Sequence, residues 1–286
     1  MLISLNTKLI GLIGNPLGQS FSSYFQNETL RTLDLDYIYY PIEVENKNLD
    51  HVINGMRSMN FAGFAVTKPY KIEVLKYMDE LDDDAKLIGS INTVVIENGC
   101  LKGYNTDGKG LIRYFKHDLK FDLENKSFLS FGAGGTARAV CFELAKNNVS
   151  NINIVSTSDS SLKLSNELNS IYGNISKAYS ISNSNFDMEK IVSNSDILMN
   201  FTGLGMNNSI NETCVNKDYI ESSHICVDAT YNPKKTKFLI EAEEKGATIL
   251  NGLNMLINQG AIQFELWTNY KAPYQLMTNI INRIEA

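Results

Sequence analysis

Residues 127–148 read SFLSFGAGGTARAVCFELAKNN. An apolar run of five (127–131) ends at a glycine turn. A stretch with helical spacing follows and closes on Asn147 and Asn148, a weak stop signal. Gly132, Gly134 and Ala137 fit the pattern G-x-G-x-x-[G/A]. The first glycine permits the tight turn, the second lets backbone approach a pyrophosphate, and the third small residue lets helix pack closely on strand. The helix N-terminus adds amide donors and a partial positive charge that favour phosphate. Such a pattern is weak by itself. Here a further apolar run, NINIVS (151–156), follows the helix, and strand–turn–helix–strand is the context a dinucleotide site requires. A structural turn with no ligand is the competing reading.

Working outward, DILMNF (196–201) and HICVDAT (224–230) read as two more strands of the same unit. The block is expected to be a Rossmann-type, doubly wound dinucleotide-binding domain. Upstream, LIGLIG (9–14), YIYYPIEV (37–44), FAGFAV (61–66) and NTVVIE (92–97) read as strands, with helical spacing over 22–33 and 49–59. That βαβα order predicts a second α/β domain with a mostly parallel sheet. Asn- and Ser-rich stretches near 156–161 and 179–185 read as loops. Residues 254–269, NMLINQGAIQFELWTN, have apolar residues at three-to-four spacing and predict a helix, with one more short helix closing the chain. Periodicity leaves open whether the C-terminal helix returns to the first sheet.

Composition narrows the function classes. At 286 residues the chain has room for two ordinary domains, and about three quarters of its unfolded surface can be buried. Apolar content of 43% and charged content of 20% describe a globular protein. The net charge of −6, without a basic stripe, argues against nucleic acid as a partner. Cys100, Cys141, Cys214 and Cys226 form no C-x-x-C pair, so no metal site is expected and the thiols read as free. No apolar run approaches the ~20 residues that span a bilayer, and the N-terminus reads as a first strand. A cytoplasmic enzyme without membrane association is the expectation.

In a dinucleotide fold the residues after the second strand meet the ribose of the adenine half. An acidic side chain there accepts from a 2′-hydroxyl, whereas arginine answers a 2′-phosphate. The segment is Ser156-Thr157-Ser158-Asp159-Ser160-Ser161, with no arginine, one carboxylate, and Lys163 as the nearest cation. Asp159 either reads the ribose or caps the helix that begins near Ser160.

Four segments of the first domain carry unusual polar content beside apolar strands: GNPLGQSFSS (14–23), VTKPYK (66–71), GSINT (89–93) and GYNTDGKG (103–110). In an open α/β sheet, ligands bind at the C-terminal ends of strands. Each segment also has a plain structural reading: Ser20 and Ser22 as helix caps, Lys71 as a solvated first-turn lysine of a helix, and Asp107 as an N-cap.

Together these segments resemble the shikimate dehydrogenase family. Its S-x-S pair matches Ser20-Phe21-Ser22, and its N-V-T-x-P-x-K matches Ala65 through Lys71. Its G-A-[VI]-N-T matches Gly89 through Thr93, and N-T-D-G stands unchanged at Asn105 to Gly108. The glycine turn with R-A matches Gly132 to Ala139. N-x-T-x-x-G-M matches Asn200, Thr202, Gly205 and Met206; D-A-x-Y-x-P matches Asp228, Ala229, Tyr231 and Pro233; G-x-x-M-L-x-x-Q matches Gly252, Met255, Leu256 and Gln259. The resemblance runs along essentially the whole chain, in the family's order. Departures are Ala65 for the family's asparagine, Gln19, Phe21 and Ser23 around the serine pair, Ser156-Thr157-Ser158 for N-R-[TS], and Gly260 for alanine. The first bears on the substrate and the third on the cofactor.

The resemblance implies reversible NAD(P)H-dependent reduction of 3-dehydroshikimate to shikimate in aromatic amino acid (chorismate) biosynthesis. Lys71 and Asp107 would be catalytic. Ser20 and Ser22 would offer hydroxyls to the substrate carboxylate, and Thr67, Asn92 and Gln259 would meet ring hydroxyls. Tyr231 would lie near substrate and nicotinamide. The cofactor would be held by Gly132, Ala133, Gly134, Gly135, Thr136, Ala137, Thr157, Ser158, Asp159, Thr202, Met206 and Gly252. The family suggests NADP, while the local residues lean to NAD. A free lysine titrates near ~10.4 and is protonated at neutral pH, which suits the acid that a new alkoxide needs. The domains are expected at 1–106 plus 252–286 for substrate and 107–251 for cofactor, in a monomer or homodimer. Quinate or an aminated shikimate analogue is the alternative substrate. A non-catalytic ligand sensor is the remote alternative, disfavoured by the presence of both Lys71 and Asp107.

Overall fold

In the computed structural model, which describes residues 3–18, 20–182 and 186–285, the chain forms two six-stranded sheets. Contacts within the chain group it into two compact units, residues 1–110 with 256–286, and residues 111–255.

The first unit holds β1 (Lys8–Gly14), α1 (Phe21–Thr32), β2 (Tyr37–Glu43), α2 (Leu49–Ser58), β3 (Phe61–Val66), β4 (Glu80–Leu81), α3 (Asp83–Ile88), β5 (Thr93–Glu97) and β6 (Cys100–Tyr104); α4 (Asp107–Arg113) begins in it. The strand order is β2-β1-β3-β5-β6-β4. β1 runs parallel to β2 and β3, and β4 parallel to β6. β5 lies antiparallel to both of its neighbours, β3 and β6. The sheet is thus mostly parallel with an antiparallel insert, and β4 and β6 are strands the apolar pattern did not show. α2 is amphipathic: Leu49, Ile53 and Met56 recur on one face and are buried. They pack with Ile13, Phe64, Val66 and Val94 of the sheet. Full burial of each such side chain contributes about 1.5–3 kcal/mol. α3 starts on Asp82, whose carboxylate accepts from the Ala85 amide, and stops at Gly89 in the left-handed region (φ 65°). That stop turns the chain into β5.

The second unit holds β7 (Ser127–Phe131), α5 (Gly135–Ala145), β8 (Asn151–Ser156), α6 (Ser160–Tyr172), β9 (Ser176–Ser180), α7 (Met188–Ser193), β10 (Ile197–Asn200), β11 (Ile225–Asp228), α8 (Lys237–Glu244) and β12 (Thr248–Leu250). Every strand pair in it is parallel, in the order β12-β11-β10-β7-β8-β9. The chain proceeds from β7 outward to β9, then returns to β10 on the other side of β7, which is the doubly wound arrangement. The end of β9 reaches into the Ser-rich stretch near 179–185 read as a loop, whose residues 183–185 fall outside the described ones. α9 (Gly252–Thr268) and α10 (Tyr274–Glu285) close the chain. From Leu256 on they group with the first unit, which answers what periodicity left open. α9 places Gln263 and Trp267 one turn apart over β5. Gln263 Nε2 donates to Asn92 O (3.1 Å) and Thr93 Oγ1 (2.9 Å), and Trp267 Nε1 donates to Val94 O (2.9 Å). At Gly260 an added Cβ would stand 2.4 Å from the Phe25 ring, so the departure from alanine lets α1 and α9 approach closely.

Candidate active site

The antiparallel insert explains why four separate segments meet on one sheet edge of the first unit. β1 and β3 end there, with Ser20 and Thr67 following. β5 runs the other way, so its beginning, Asn92, lies where β3 ends: Val66 N donates to Asn92 O (2.8 Å). β6 returns to the same edge and delivers Asn105, Thr106 and Asp107. Lys71 is tied there through its own backbone, whose carbonyl accepts from Ile91 N (2.8 Å).

Lys71 Nζ donates to Asp107 Oδ2 at 2.5 Å, with side chains 17% and 8% exposed. This lysine is largely buried, with a small part of its side chain open to water, and it sits in a turn before a short 3-10 helix (Glu73–Tyr77), not on an α-helix as expected. Asp107 is the first residue of α4 but no N-cap. Asn105 Oδ1 accepts its amide (3.1 Å), and its other carboxylate oxygen accepts from Asn92 Nδ2 at 2.7 Å. Asn92, 2% exposed, is the hub of the edge. Its Nδ2 also donates to Thr106 Oγ1 (2.9 Å) and Gln259 Oε1 (3.2 Å), while its Oδ1 accepts from Thr106 N (2.9 Å) and Thr93 Oγ1 (2.8 Å). Gln259 Nε2 donates to Leu256 O (2.9 Å). Both amides expected to meet ring hydroxyls are therefore engaged within the protein. Asn105, Thr106 and Gln263 complete the network. The first two stood in a quoted motif without a role, and the third was missed although it lies one helical turn beyond Gln259.

Ser20 is the N-cap of α1, its Oγ accepting from Ser22 N at 3.3 Å, so the capping reading holds for it; its hydroxyl hydrogen remains a possible donor. Ser22 is buried in the first turn of α1. Thr67 is half-buried, and its methyl fills the space over Gly14, where an added Cβ would stand 2.4 Å away. Ala65 is buried in β3, alternating with Phe64 and Val66 of the core and paired with Thr93. Gln19 lies outside the described residues.

In the second unit the parallel strands bring their C-terminal ends to one edge. Gly132 follows β7 with φ 102°, and an added Cβ would stand 3.2 Å from the Phe201 backbone, so the turn requires glycine. Gly134 caps α5 without a side chain. A Cβ added there would meet nothing within 4 Å, leaving open space beside the helix N-terminus. Ala133 and Ala137 are buried, and Gly135 and Thr136 form the first turn of α5. This is a cradle that fits a pyrophosphate.

After β8, Thr157, Ser158 and Asp159 are exposed. Asp159 occupies the N-cap position of α6 but makes no capping hydrogen bond. Serines do that work instead: Ser156 Oγ accepts from Ser161 N (3.2 Å), and Ser158 Oγ accepts from Ser160 N (3.4 Å). Arg138 pairs with Glu167 (2.5 Å). After β10 come Thr202 and Met206, and after β11 Thr230 and the half-buried Tyr231. Gly252 opens α9 against β11, where an added Cβ would lie 2.0 Å from Ala229 O. Cys141 and Cys226 are buried and Cys100 and Cys214 partly so, all four free. Burial pushes the thiols of Cys141 and Cys226 up to about 12, which makes them inert.

Comparison with known proteins bears on both units. Residues 12–94 match the shikimate dehydrogenase substrate binding domain, and residues 252–281 match the shikimate 5′-dehydrogenase C-terminal domain. Shikimate dehydrogenase (NADP(+)) of Methanococcus aeolicus is 43% identical over 98% of this chain and 99% of its own. The chain belongs to the shikimate dehydrogenase family. Among solved structures, shikimate 5-dehydrogenase from Listeria monocytogenes, in complex with shikimate and NAD, is 37% identical with a TM-score of 0.89, covering 98% of each chain. A shikimate dehydrogenase in complex with NADP+ is 37% identical with a TM-score of 0.90, covering 99% of this chain and 98% of that one. The protein is accordingly a mixed α/β member of an oxidoreductase family whose relatives bind NADP+ or NAD.

Proposed function

We propose that the protein is a shikimate dehydrogenase, reducing 3-dehydroshikimate with NAD(P)H and a proton to shikimate and NAD(P)+, reversibly, for aromatic amino acid biosynthesis. The first unit would carry the substrate and the second the cofactor. The observation that carries the reading is the largely buried Lys71–Asp107 pair on a strand-end edge lined by amides and hydroxyls.

The bound nicotinamide would supply hydride to the ketone carbon. The electron pair that leaves the C=O bond makes an alkoxide, and Lys71 would give it a proton from Nζ. Asp107 accepts from that ammonium and from Asn92 at once, which fixes the donor's position. The neutral lysine left behind regains its proton from water, which its 17% exposure admits. In the reverse direction Lys71 takes the proton from the shikimate hydroxyl. Ser20, Ser22 and Thr67 would hold the carboxylate and a ring hydroxyl, and Asn92 and Gln259 would orient the edge and share hydrogen bonds with the ring. Gly132 to Ala137 would cradle the pyrophosphate, Thr202, Met206, Tyr231 and Gly252 would border the nicotinamide half, and Thr157, Ser158 and Asp159 would read the adenine ribose. With a carboxylate and hydroxyls there, and no arginine in the segment, we read the site as accepting NAD at least as well as NADP.

Quinate or an aminated analogue is the second reading, favoured by Ala65 where the family has asparagine. Four free thiols fit a reducing compartment, and we read the enzyme as cytoplasmic, a monomer or homodimer. The test is incubation of 3-dehydroshikimate with each reduced cofactor and identification of the product by NMR. Shikimate is expected, and no consumption of ketone with either cofactor would overturn the reading.

A further inference from the structure

Asp228, the last residue of β11, is fully buried, 0% exposed. Aspartate is almost never buried unless partnered, and here donors converge from three sides. Asn200 Nδ2 (2.8 Å) and Thr236 Oγ1 (2.7 Å) donate to Oδ2, and Thr230 N (2.8 Å) donates to Oδ1. Burial pushes the carboxyl above the usual range, and these hydrogen bonds oppose that shift. Apolar packing of the same volume would stabilise the fold as well as a buried charge does. The carboxylate therefore invites a question about what it holds.

It holds a loop. Asn200 ends β10, and its amide is used at both ends. Oδ1 accepts from Thr202 N (3.1 Å) and Thr202 Oγ1 (2.6 Å), and Nδ2 donates also to Leu204 O (3.1 Å). Leu204 N donates to Thr202 Oγ1 (3.1 Å). Gly203 and Gly205 have φ of 81° and 91°, and an added Cβ at Gly205 would stand 2.6 Å from Thr236 Cβ. Thr230, whose amide Asp228 holds, reaches Met206 Sδ with its hydroxyl at 3.8 Å. One carboxylate thus fixes residues 201–206 from below through Asn200, from the side through Thr236, and at Met206 through Thr230.

We propose that Asp228 is a positioning residue that sets this loop so that Thr202 and Met206 receive the nicotinamide half of the dinucleotide. The proposal rests on the reading that the second unit binds a dinucleotide. In a doubly wound sheet the glycine turn takes the pyrophosphate and the strand beyond it takes the adenine half. β7 and β8 supply these here, so the other half falls on the β10 side, where the loop is. Asp228 belongs to that side alone. Asparagine is the same size as aspartate, but its Nδ2 would turn a donor toward a donor, so Asp228→Asn breaks the arrangement without changing volume.

The test is calorimetric titration of the full chain with NAD+, NADP+, ADP and 2′,5′-ADP. In Asp228→Asn, Kd for the preferred dinucleotide rises ~10-fold or more, while Kd for the matching adenine fragment stays within ~2-fold, because a charge-assisted hydrogen bond and its dependants are lost on one side only. Thr236→Val, which at constant shape removes one donor to Asp228 together with the acceptor that caps α8, gives the same split at ~3-fold, with thermal melting reading the loss of the cap separately. Equal loss for fragment and dinucleotide, or unchanged dinucleotide affinity, overturns the role. If Asp228→Asn does not fold, Thr236→Val is read against the same two outcomes. Wild type that binds none of the four probes overturns the dinucleotide reading, and this proposal with it.

Discussion

Lys71→Met removes the ammonium while keeping the length and most of the bulk of the side chain. In the structure Nζ stands 2.5 Å from Asp107 Oδ2, and Asp107 retains its 2.7 Å hydrogen bond from Asn92. Two effects follow and they separate. Loss of a positioned acid lowers kcat by ~10²–10⁴, or about 2.7–5.4 kcal/mol at ~1.36 kcal/mol per decade. Stability falls by less. Removing one partner of a fully buried pair costs about 3–5 kcal/mol, but Asn92 stays on the carboxylate and water reaches it past a 17% exposed side chain, so about 1–2 kcal/mol is expected here. Shikimate KM should move less than ~3-fold, since hydroxyl and amide contacts to the ground state are untouched. Steady-state oxidation of shikimate, followed by absorbance of the reduced nicotinamide, reads kcat and KM together, and thermal melting reads stability. A folded variant that keeps more than half of wild-type kcat, or that changes KM alone, would refute the assignment of Lys71 as the acid.

Ser20→Ala and Ser22→Ala are expected to raise shikimate KM with kcat little changed, because a carboxylate remote from the hydride uses uniform binding at about 1.5–3 kcal/mol per hydrogen bond; loss of kcat alone in both would move the serines out of the carboxylate site. NAD+ should be used at least as well as NADP+, and Thr157→Arg with Asp159→Ser should move kcat/KM toward NADP+. A wild-type preference for NADP+ above ~10-fold, ~1.4 kcal/mol, would mean that a cation elsewhere clamps the 2′-phosphate. His224 is buried, with Nδ1 accepting from Glu221 N (2.9 Å), and burial holds its pKa below the ordinary value. The unfolded state then binds the proton first, so stability is intact above ~6.5 and falls as pH drops below it. His224→Gln should flatten the Tm–pH curve there, and an unchanged slope would assign the acid sensitivity to carboxylates.

Much of this was legible in the residues because apolar runs bounded by turns are hard to misread. FAGFAV, SFLSF and NINIVS are β3, β7 and β8 to the residue. β6, CLKGY, was hidden because its inward positions are Leu101 and a glycine, and Gly103 is small since Leu81 and Ile91 pack where its Cβ would stand. β9, SKAYS, is an edge strand with polar residues, and β12 has three residues, so neither carries a period. The glycine turn and the polar strand ends could be placed because each is a short contiguous stretch of sequence. The part Asn92 plays as hub of the hydrogen-bond network, and the contacts of Asn105 and Asp228, could not. Each makes at least one hydrogen bond to a residue distant in sequence, such as Asn92 with Gln259, Asn105 with Ser90 and Asp228 with Asn200, and in the first unit an antiparallel insert that periodicity missed decides which ends share an edge.

The most direct measurement is kcat/KM for shikimate and for quinate, each crossed with NAD+ and NADP+, on the purified full chain. Lys71 and Asp107 on an edge built from Ser20, Thr67, Asn92 and Gln259 predict oxidation of shikimate at least ~10-fold more efficiently than of quinate, a difference of ~1.4 kcal/mol in transition-state binding. Quinate preferred over shikimate with either cofactor, or no turnover of either acid by a folded protein, would contradict it.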